Sequence, residues 1–285
     1  MSRTVYVNGE YLAEENATVS IFDRGFLMAD GVYEVTSVID RKLIDFDGHI
    51  ARLHRSLDEL KMRPACSDEE LLAVHRELVE RNDLDNGMIY LQVTRGAPGD
   101  RDFVWPGEDV APTMVLFTQA KDLVNSPAAK TGLKVISIED QRWARRDIKT
   151  VQLLFPSFAK MEAKAQGKDD AWMTEDGLVN EGTSNNAYIV KDGVIVTRQL
   201  SNDILHGITR ASVLRFAKEA QMKVEERAFS IQEAQGADEA FCTAASAFVT
   251  PVVEIDGVSV GSGAPGPVAT RLREIYIDES RKTGI

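Results

Sequence analysis

Residues 142–160 read RWARRDIKTVQLLFPSFAK, and the lysine near their centre, Lys149, is the most informative residue of the chain. Three arginines, Arg142, Arg145 and Arg146, precede it, and an apolar run follows it. Nearby positive charge and apolar surroundings both disfavour the ammonium form of a lysine. Since a neutral lysine amine can form a Schiff base with an aldehyde, Lys149 is a candidate catalytic nucleophile. The simpler alternative is a solvated lysine in a charged loop.

The length, composition and charge of the chain limit the classes of protein to which it can belong. Its 285 residues suffice for one large domain or two smaller ones, and 44% of them are apolar. The formal net charge of -12 argues against nucleic acid and anionic membrane as partners, because both attract positive charge. Two distant cysteines and the lack of a signal-peptide or membrane-span pattern predict a cytoplasmic protein. The four histidines do not have the spacing of a zinc site, so no metal is predicted.

The spacing of apolar residues predicts strands and helices in an irregular alternation. Asn8-Gly9 predicts a hairpin turn within residues 4–12. Strands are predicted at 32–39, 43–46, 88–94, 113–118, 133–138, 171–174, 187–190, 224–229, 239–243 and 249–255. Helices are predicted after caps at Asp47, Ser67 and Ser230 and at 158–166, 209–220 and 267–281, with loops at 21–30 and 95–109. This irregular order predicts a mixed α/β (α+β) fold and not a doubly wound sheet.

A polar segment that contains a proline and a glycine, residues 121–132, is the predicted interdomain linker. It separates a first domain of residues 1–120 from a second domain of residues 133–285. Lys149 therefore falls in the second predicted domain.

Four other features supply groups that a Schiff-base lysine would need around an anionic cofactor. Residues 207–209 open a helix whose first N–H groups can bind a phosphate, and Arg52 can supply the positive charge. The small-residue turn at 243–247 can offer further N–H groups. Glu181, beside a Gly-Thr-Ser-Asn turn, can keep a ring nitrogen protonated. Each of these features alone also has a simpler explanation, as a helix cap, a surface arginine, a packed corner or a turn carboxylate.

Segments along nearly the whole chain, in one consistent order, carry a family resemblance. They are DRG (23–25), ADGVYEV (29–35), HIARL (49–53), RW (142–143), DIK (147–149), EGTSN (181–185), LHGITR (205–210) and VTPV (249–252). On these residues the chain resembles the fold-type IV (class IV) aminotransferases that depend on pyridoxal 5'-phosphate (PLP), most closely their D-amino acid branch. The resemblance implies a small N-terminal α/β domain, a larger C-terminal pseudo-barrel domain that binds PLP, and a homodimer.

The resemblance also implies a role for individual residues. Lys149 would hold PLP as a Schiff base and shuttle the proton, and Glu181 would pair with the ring nitrogen. The other implied cofactor-binding residues are Arg52, Leu205, Ile208, Thr209, Ala245 and Ser246. The implied substrate-binding residues are Tyr33, Val35 and Arg101.

The chain departs from the family pattern in the loop at 95–109 and after the lysine. In the D-amino acid branch a histidine accompanies the loop arginine, whereas Asp102 or Phe103 falls near that position here. The branched-chain enzymes have a tyrosine shortly after the lysine, which Leu153-Leu154 replaces here. The second departure argues against the branched-chain branch, and the first leaves the recognition of an α-carboxylate open.

The resemblance therefore implies ping-pong transamination between D-amino acids and 2-oxo acids, such as D-alanine and 2-oxoglutarate to pyruvate and D-glutamate. One alternative is an (R)-selective amine transaminase, whose substrates have no α-carboxylate. A second is 4-amino-4-deoxychorismate lyase, which uses the cofactor for β-elimination and which the VYEV pattern at 32–35 disfavours. A third is a binding protein without catalysis, which the intact Lys149, Glu181 and Arg52 disfavour.

Overall fold

The computed structural model describes residues 2–285, and the chain divides into two units. The first unit consists of the residues up to Asp122 together with Ile148–Gln152 and Thr283–Ile285, and the second of Leu123–Asp147 and Leu153–Lys282. The short segment that carries Lys149 thus belongs to the first unit although its neighbours on both sides belong to the second. The domain boundaries drawn from the sequence remain a prediction, and the predicted linker contains a short helix.

The first unit is built on a six-stranded antiparallel sheet with the strand order β2-β1-β6-β5-β3-β4. Its strands are β1 (Thr4–Val7), β2 (Glu10–Ala13), β3 (Gly31–Ile39), β4 (Lys42–Leu43), β5 (Gly87–Thr94) and β6 (Thr113–Ala120). Asn8 and Gly9 join β1 to β2 with φ values of 48° and 100°. Two positive φ values are what a two-residue hairpin turn requires, so the predicted hairpin is confirmed.

Three helices belong to this unit: α1 (Arg24–Met28), α2 (Phe46–Glu59) and α3 (Asp68–Arg81). The Ser67 side chain accepts a hydrogen bond from the Glu70 N–H, which confirms the predicted cap of α3. The predicted loop at 21–30 is wrong, because α1 forms there; a helix of one turn is too short to show a periodic pattern. The strand predicted at 43–46 is shorter and lies at Lys42–Leu43, and the predicted cap Asp47 is wrong, because α2 already begins at Phe46.

The second unit is built on a curled nine-stranded sheet that contains parallel and antiparallel pairs. Its strands are β7 (Leu133–Glu139), β8 (Asp170–Glu175), β9 (Leu178–Gly182), β10 (Asn186–Lys191), β11 (Val194–Thr197), β12 (Lys223–Glu226), β13 (Glu239–Ala244), β14 (Phe248–Ile255) and β15 (Val258–Ser259). The order is β12-β11-β10-β13-β14-β7-β8-β9, with β15 beside β14. The sheet curls because β9 returns towards β10, where the Gly182 N–H donates to the Asn185 carbonyl at 2.8 Å.

The remaining helices are α4 (Pro127–Thr131), α5 (Leu154–Ala165), α6 (Ile208–Glu219), α7 (Ile231–Gln235) and α8 (Pro267–Thr283). The start of α5 was predicted at Phe158 and lies four residues earlier, because Pro156 is tolerated within the first turn of a helix. The aromatic side chains of Tyr188 and Phe241 stack at 4.5 Å between β10 and β13, which anchors the core beside these strands. Within residues 2–285, every helix is too short or too polar to cross a membrane.

Candidate active site

The backbone around Lys149 pairs with the first residues of β3. The Tyr33 N–H donates to the Lys149 carbonyl at 3.0 Å, and the Val151 N–H donates to the Gly31 carbonyl at 3.1 Å. The Lys149 N–H donates to the hydroxyl of Ser56 on α2 at 3.3 Å. These bonds use only main-chain atoms of residue 149 and leave its side chain to be directed by its neighbours. The Lys149 Nζ lies 4.2 Å from the centroid of the Tyr33 ring.

The alternation of β3 places the predicted substrate residues on one face. Tyr33 and Val35 are half-buried on this face, while Glu34 between them is buried on the other. The Tyr33 ring stacks on Tyr90 of β5, with 5.5 Å between ring centroids. This cross-strand stack restricts the orientation of the ring beside the Lys149 amine. The first unit therefore brings together Lys149, Tyr33 and Val35.

Arg52 of α2 is held by a buried carboxylate on the other face of β3. Its Nε and Nη2 donate to the two oxygens of Glu34, each at 2.7 Å, and the Glu34 side chain is 1% exposed. His49, one turn earlier on α2, shares its Nδ1 with Glu34 at 2.8 Å. A two-pronged contact of this kind fixes the plane of a guanidinium. Sequence reasoning missed Glu34, although a charged residue in an apolar strand one residue after Tyr33 is a usable signal.

We expect the ionisation of Glu34 to contribute to the pH dependence of the free energy of unfolding. Burial alone would raise the pKa of this carboxyl, but Arg52 and His49 lower it from 4.5 to about 2. A carboxyl whose pKa is lower in the folded state than in the unfolded state stabilises the fold at pH values above the unfolded-state pKa. This contribution is lost as the pH falls towards 2. The linked free energy is about 3 kcal/mol. The difference in unfolding free energy between wild type and Glu34→Gln should therefore shrink by about that amount from about pH 5 to pH 2.

Urea unfolding of both proteins across this pH range measures the difference directly. Glu69→Gln, which removes an exposed carboxyl from α3, is the matched control. If Glu34→Gln and Glu69→Gln showed the same dependence on pH, Glu34 would not be the linked group.

Arg101 lies in the loop between β5 and β6, where its guanidinium carbon is 4.9 Å from the centroid of the Phe103 ring. The side chain of Phe103 is exposed, so the stack contributes only about 0.5–1 kcal/mol. None of residues 2–285 forms an ion pair with Arg101. The guanidinium is therefore available to bind an anion.

The predicted acid, Glu181, lies near the end of β9 in the second unit, beside the bend at 183–185. Its side chain is 4% exposed and is surrounded by hydrogen-bond donors. The Leu205 N–H donates to both oxygens at 3.2 and 3.1 Å, the Asn186 Nδ2 donates to Oε2 at 3.0 Å, and the Arg142 Nη1 donates to Oε1 at 2.7 Å. Burial raises the pKa of the Glu181 carboxyl, and Arg142 acts in the opposite direction. Burial is the larger of the two effects, so the pKa of Glu181 lies above its ordinary value although Arg142 by itself favours the carboxylate form.

Arg142 is itself held between two carboxylates. Its Nε and Nη2 donate to the two oxygens of Asp140 at 3.0 and 2.8 Å, opposite the contact with Glu181. Asn180 donates a further bond to Asp140 at 2.9 Å. Burial alone would lower the pKa of the Arg142 guanidinium, but Glu181 and Asp140 raise it. The one signal that distinguished Arg142 from the neighbouring arginines was its place in the RW segment (142–143) of the family resemblance.

The predicted basic cluster before Lys149 is an incorrect interpretation, because each arginine pairs with an acid of the second unit. Arg145 Nε lies 3.0 Å from an oxygen of the buried Asp147, and Arg146 contacts Glu175 at 2.5 Å. Together with the contacts of Arg142, these pairs balance the charge of the cluster. The arginines are therefore not the uncompensated positive charges that the sequence indicated.

Leu205 connects Glu181 to the start of α6. Its carbonyl accepts from the Gly207 N–H at 2.9 Å and from the Asn186 Nδ2 at 3.0 Å. Gly207 is the cap of α6 and has no side chain, and an added Cβ would lie 2.1 Å from the Asn186 Oδ1. The close approach therefore requires a glycine. Asn186, which the sequence did not single out, joins the acid and the helix start through one amide group.

Ile208 and Thr209 form the first turn of the 12-residue helix α6, whose cap makes no side-chain hydrogen bond. The first N–H groups of a helix have no intrahelical acceptor, so they can bind an anion. Ala245 and Ser246 lie in the half-buried turn between β13 and β14. Asn186 and Thr243 are partners across β10 and β13, which places this turn in the same part of the unit. The Thr243 hydroxyl is paired with the Tyr188 hydroxyl at 2.9 Å.

The predicted site residues thus form two groups. The first unit holds Lys149, Tyr33, Val35, Arg52 and Arg101, and the second holds the predicted cofactor residues listed next. These are Glu181, Leu205, Ile208, Thr209, Ala245 and Ser246. In the second group a buried acid and a helix start with open N–H groups are joined through a single residue, Leu205. This arrangement fits a molecule with a basic ring nitrogen and a phosphate.

Comparison with known proteins identifies the class. The family model of amino-transferase class IV matches residues 31–255, which is more than half of the chain. The chain therefore belongs to the class IV aminotransferase family and is an enzyme of that kind. The predicted fold class and family are confirmed.

Individual relatives have more specific names. The D-alanine aminotransferase of Bacillus licheniformis is 38% identical over 98% of this chain and 99% of that protein. The D-alanine aminotransferase of Staphylococcus haemolyticus is 38% identical over 95% of both proteins. The solved structure of a branched-chain amino acid aminotransferase from T.th. with pyridoxamine 5'-phosphate has a TM-score of 0.89 and 29% identity, and covers 98% of this chain and 94% of that chain.

Proposed function

We propose that this enzyme transfers the amino group of a D-amino acid, such as D-alanine, to a 2-oxo acid, such as 2-oxoglutarate, in a ping-pong reaction with PLP. Its similarity to D-alanine aminotransferases over nearly the full length is the observation that carries the proposal. The VYEV segment of β3 and the Leu153-Leu154 pair after the lysine support the D-amino acid branch over the branched-chain branch.

The proposed cofactor contacts follow from the donor and acceptor groups of the second unit. Glu181, which accepts a hydrogen bond from Arg142, would pair with the ring nitrogen, and Leu205 would contact the ring. The N–H groups of Ile208 and Thr209 and the turn at Ala245 and Ser246 hold the phosphate. When bound, PLP supplies the electron sink that makes the substrate Cα acidic.

The first unit supplies the remaining proposed groups. Arg52, oriented by Glu34, adds positive charge for the phosphate. The Lys149 Nζ would hold the cofactor, and as a neutral amine it would take the proton from the substrate Cα and later return it. Tyr33 and Val35 contact the substrate, and Arg101 binds its carboxylate.

A substrate panel tests the proposal. The enzyme supplied with PLP and 2-oxoglutarate is mixed separately with D-alanine, L-leucine and (R)-1-phenylethylamine, and the carbonyl product is measured. We expect D-alanine to be the best donor. Preference for L-leucine would assign the enzyme to the branched-chain branch. Preference for the amine would assign it to the (R)-selective amine transaminases, the alternative that the absence of the loop histidine near Asp102 or Phe103 leaves open.

We also propose that the enzyme is a homodimer. An exposed apolar stripe on α5 supports this, because Leu154, Phe158 and Met161 are 86%, 53% and 63% exposed at helical spacing. Light scattering should therefore give the mass of two chains, and the mass of one chain would contradict the proposal.

The two free cysteines, Cys66 and Cys242, support a cytoplasmic location, which cell fractionation tests.

A further inference from the structure

Arg24 of α1 is a buried arginine that binds the loop between β5 and β6. Its Nε donates to Asp30 at 2.7 Å, while its Nη1 donates to the carbonyls of Asp102 and, at 3.3 Å, Val104. The residue is only 4% exposed. The two carbonyls flank Phe103, so one guanidinium holds the loop on both sides of that residue.

Asp30 extends this contact to a second arginine. Arg95, at the start of the loop, donates through Nε and Nη2 to the oxygens of Asp30 at 2.8 and 3.1 Å. Its guanidinium also donates to the carbonyl of Leu60 at 2.8 Å and lies 4.3 Å from the Trp105 ring centroid. Burial alone would raise the pKa of Asp30, but the two arginines lower it. The Asp30 carboxylate therefore links Arg24 and Arg95, which contact the loop at different residues.

Residues 103–105 of this loop pack little against the rest of the unit. The side chains of Phe103, Val104 and Trp105 are 77%, 73% and 51% exposed. The Asp102 carboxylate accepts from the Val104 N–H at 3.0 Å and therefore closes a local turn. A tip with this much exposed apolar surface has little packing energy to hold one backbone conformation. The hydrogen bonds of Arg24 and the contacts of Arg95 therefore hold the loop backbone in one conformation where packing does not.

We propose that Arg24 is a positioning residue for substrate recognition. It fixes the backbone after Arg101, so that the Arg101 guanidinium can bind the substrate carboxylate. The proposal rests on the proposed function. It explains how Arg101 can be directed without the histidine of the D-amino acid branch. Phe103 stacks on Arg101 in that region, and Arg24 holds the carbonyls on both sides of Phe103.

The geometry requires an arginine at position 24. A planar guanidinium can donate to Asp30 from Nε and to two carbonyls from Nη1 at the same time. The ammonium of a lysine is a single point charge on a flexible stem, so it cannot reproduce this fork. Arg24→Lys therefore keeps the charge beside Asp30 and removes the hold on the loop.

The test combines steady-state kinetics of D-alanine with amide hydrogen exchange of residues 101–105. For Arg24→Lys we expect KM for D-alanine to rise about tenfold, which corresponds to about 1.4 kcal/mol, with kcat within about threefold of wild type. The exchange of residues 101–105 should become faster. Arg63→Met is the matched control, because Arg63 is exposed and donates to a carbonyl at Val110, near the other end of the loop. It should leave KM unchanged.

If Arg24→Lys fails to fold, Trp105→Ala is a second variant that perturbs the same loop. It removes the exposed ring beneath Arg95 and should raise both KM and the exchange rate in the same direction. Unchanged exchange at 101–105, or equal changes of kcat and KM, would overturn the proposal. If wild type does not use D-alanine at all, the proposed function fails, and the exchange rates alone decide whether Arg24 fixes the loop.

Discussion

Replacement of Lys149 by alanine is expected to lower the turnover of D-alanine with 2-oxoglutarate by about 10⁴-fold, the upper range for loss of a general base. The side chain would supply both the covalent attachment and the group that moves the Cα proton, so no other residue substitutes for it. The fold should survive, because the hydrogen bonds of residue 149 to Ser56 and Tyr33 use main-chain atoms. Steady-state kinetics and a thermal unfolding curve measure the two effects separately.

Lys164→Ala is the matched control, because Lys164 is a half-exposed lysine of α5 that pairs with Asp169 at 3.4 Å. Its turnover should equal that of wild type. Addition of a small primary amine to Lys149→Ala should restore part of the lost rate, since a free amine can replace the missing base. Full turnover in Lys149→Ala without added amine would remove Lys149 from the catalytic role.

Arg142→Met is expected to lower the free energy of unfolding by about 3–5 kcal/mol, the cost of removing one partner from a buried ion pair. The substitution leaves Asp140 and Glu181, which are 0% and 4% exposed at the side chain, without the guanidinium that separates them. Urea unfolding measures the loss. Arg142→Lys should recover only part of it, because an ammonium cannot contact both carboxylates in the same plane.

A double variant identifies the charge that causes the loss. Arg142→Met combined with Glu181→Gln removes one of the two uncompensated carboxylates and should be more stable than Arg142→Met alone. Arg227→Met is the control in the same unit, because Arg227 pairs with Glu225 and Glu233 at an exposed position and should cost at most about 1 kcal/mol. Equal losses for Arg142→Met and Arg227→Met would contradict the structural role of the buried trio.

The fold class and the family followed from short motifs in a consistent order, and the structure and the comparisons confirm both. The elements with clear signals, such as the Asn8-Gly9 hairpin and the Ser67 cap, were also predicted correctly. Errors fell on α1 and on the ends of α2 and α5, where a single turn or a tolerated proline leaves no periodic signal. The roles of the individual site residues remain predictions.

The sequence by itself indicated which residues the candidate site contains, because Lys149, Glu181 and Gly207 lie in short motifs that follow one another in the order of the family. Only the tertiary structure decided which charges meet. It joined Arg142 to Asp140 and Glu181, Arg52 to Glu34, and Arg24 to the loop that carries Arg101. The physical reason is that an ion pair depends on a distance of a few ångströms between side chains that are distant in the chain. For Lys149 the sequence supplied the proposed role, and the structure supplied the contacts with Tyr33 and Ser56.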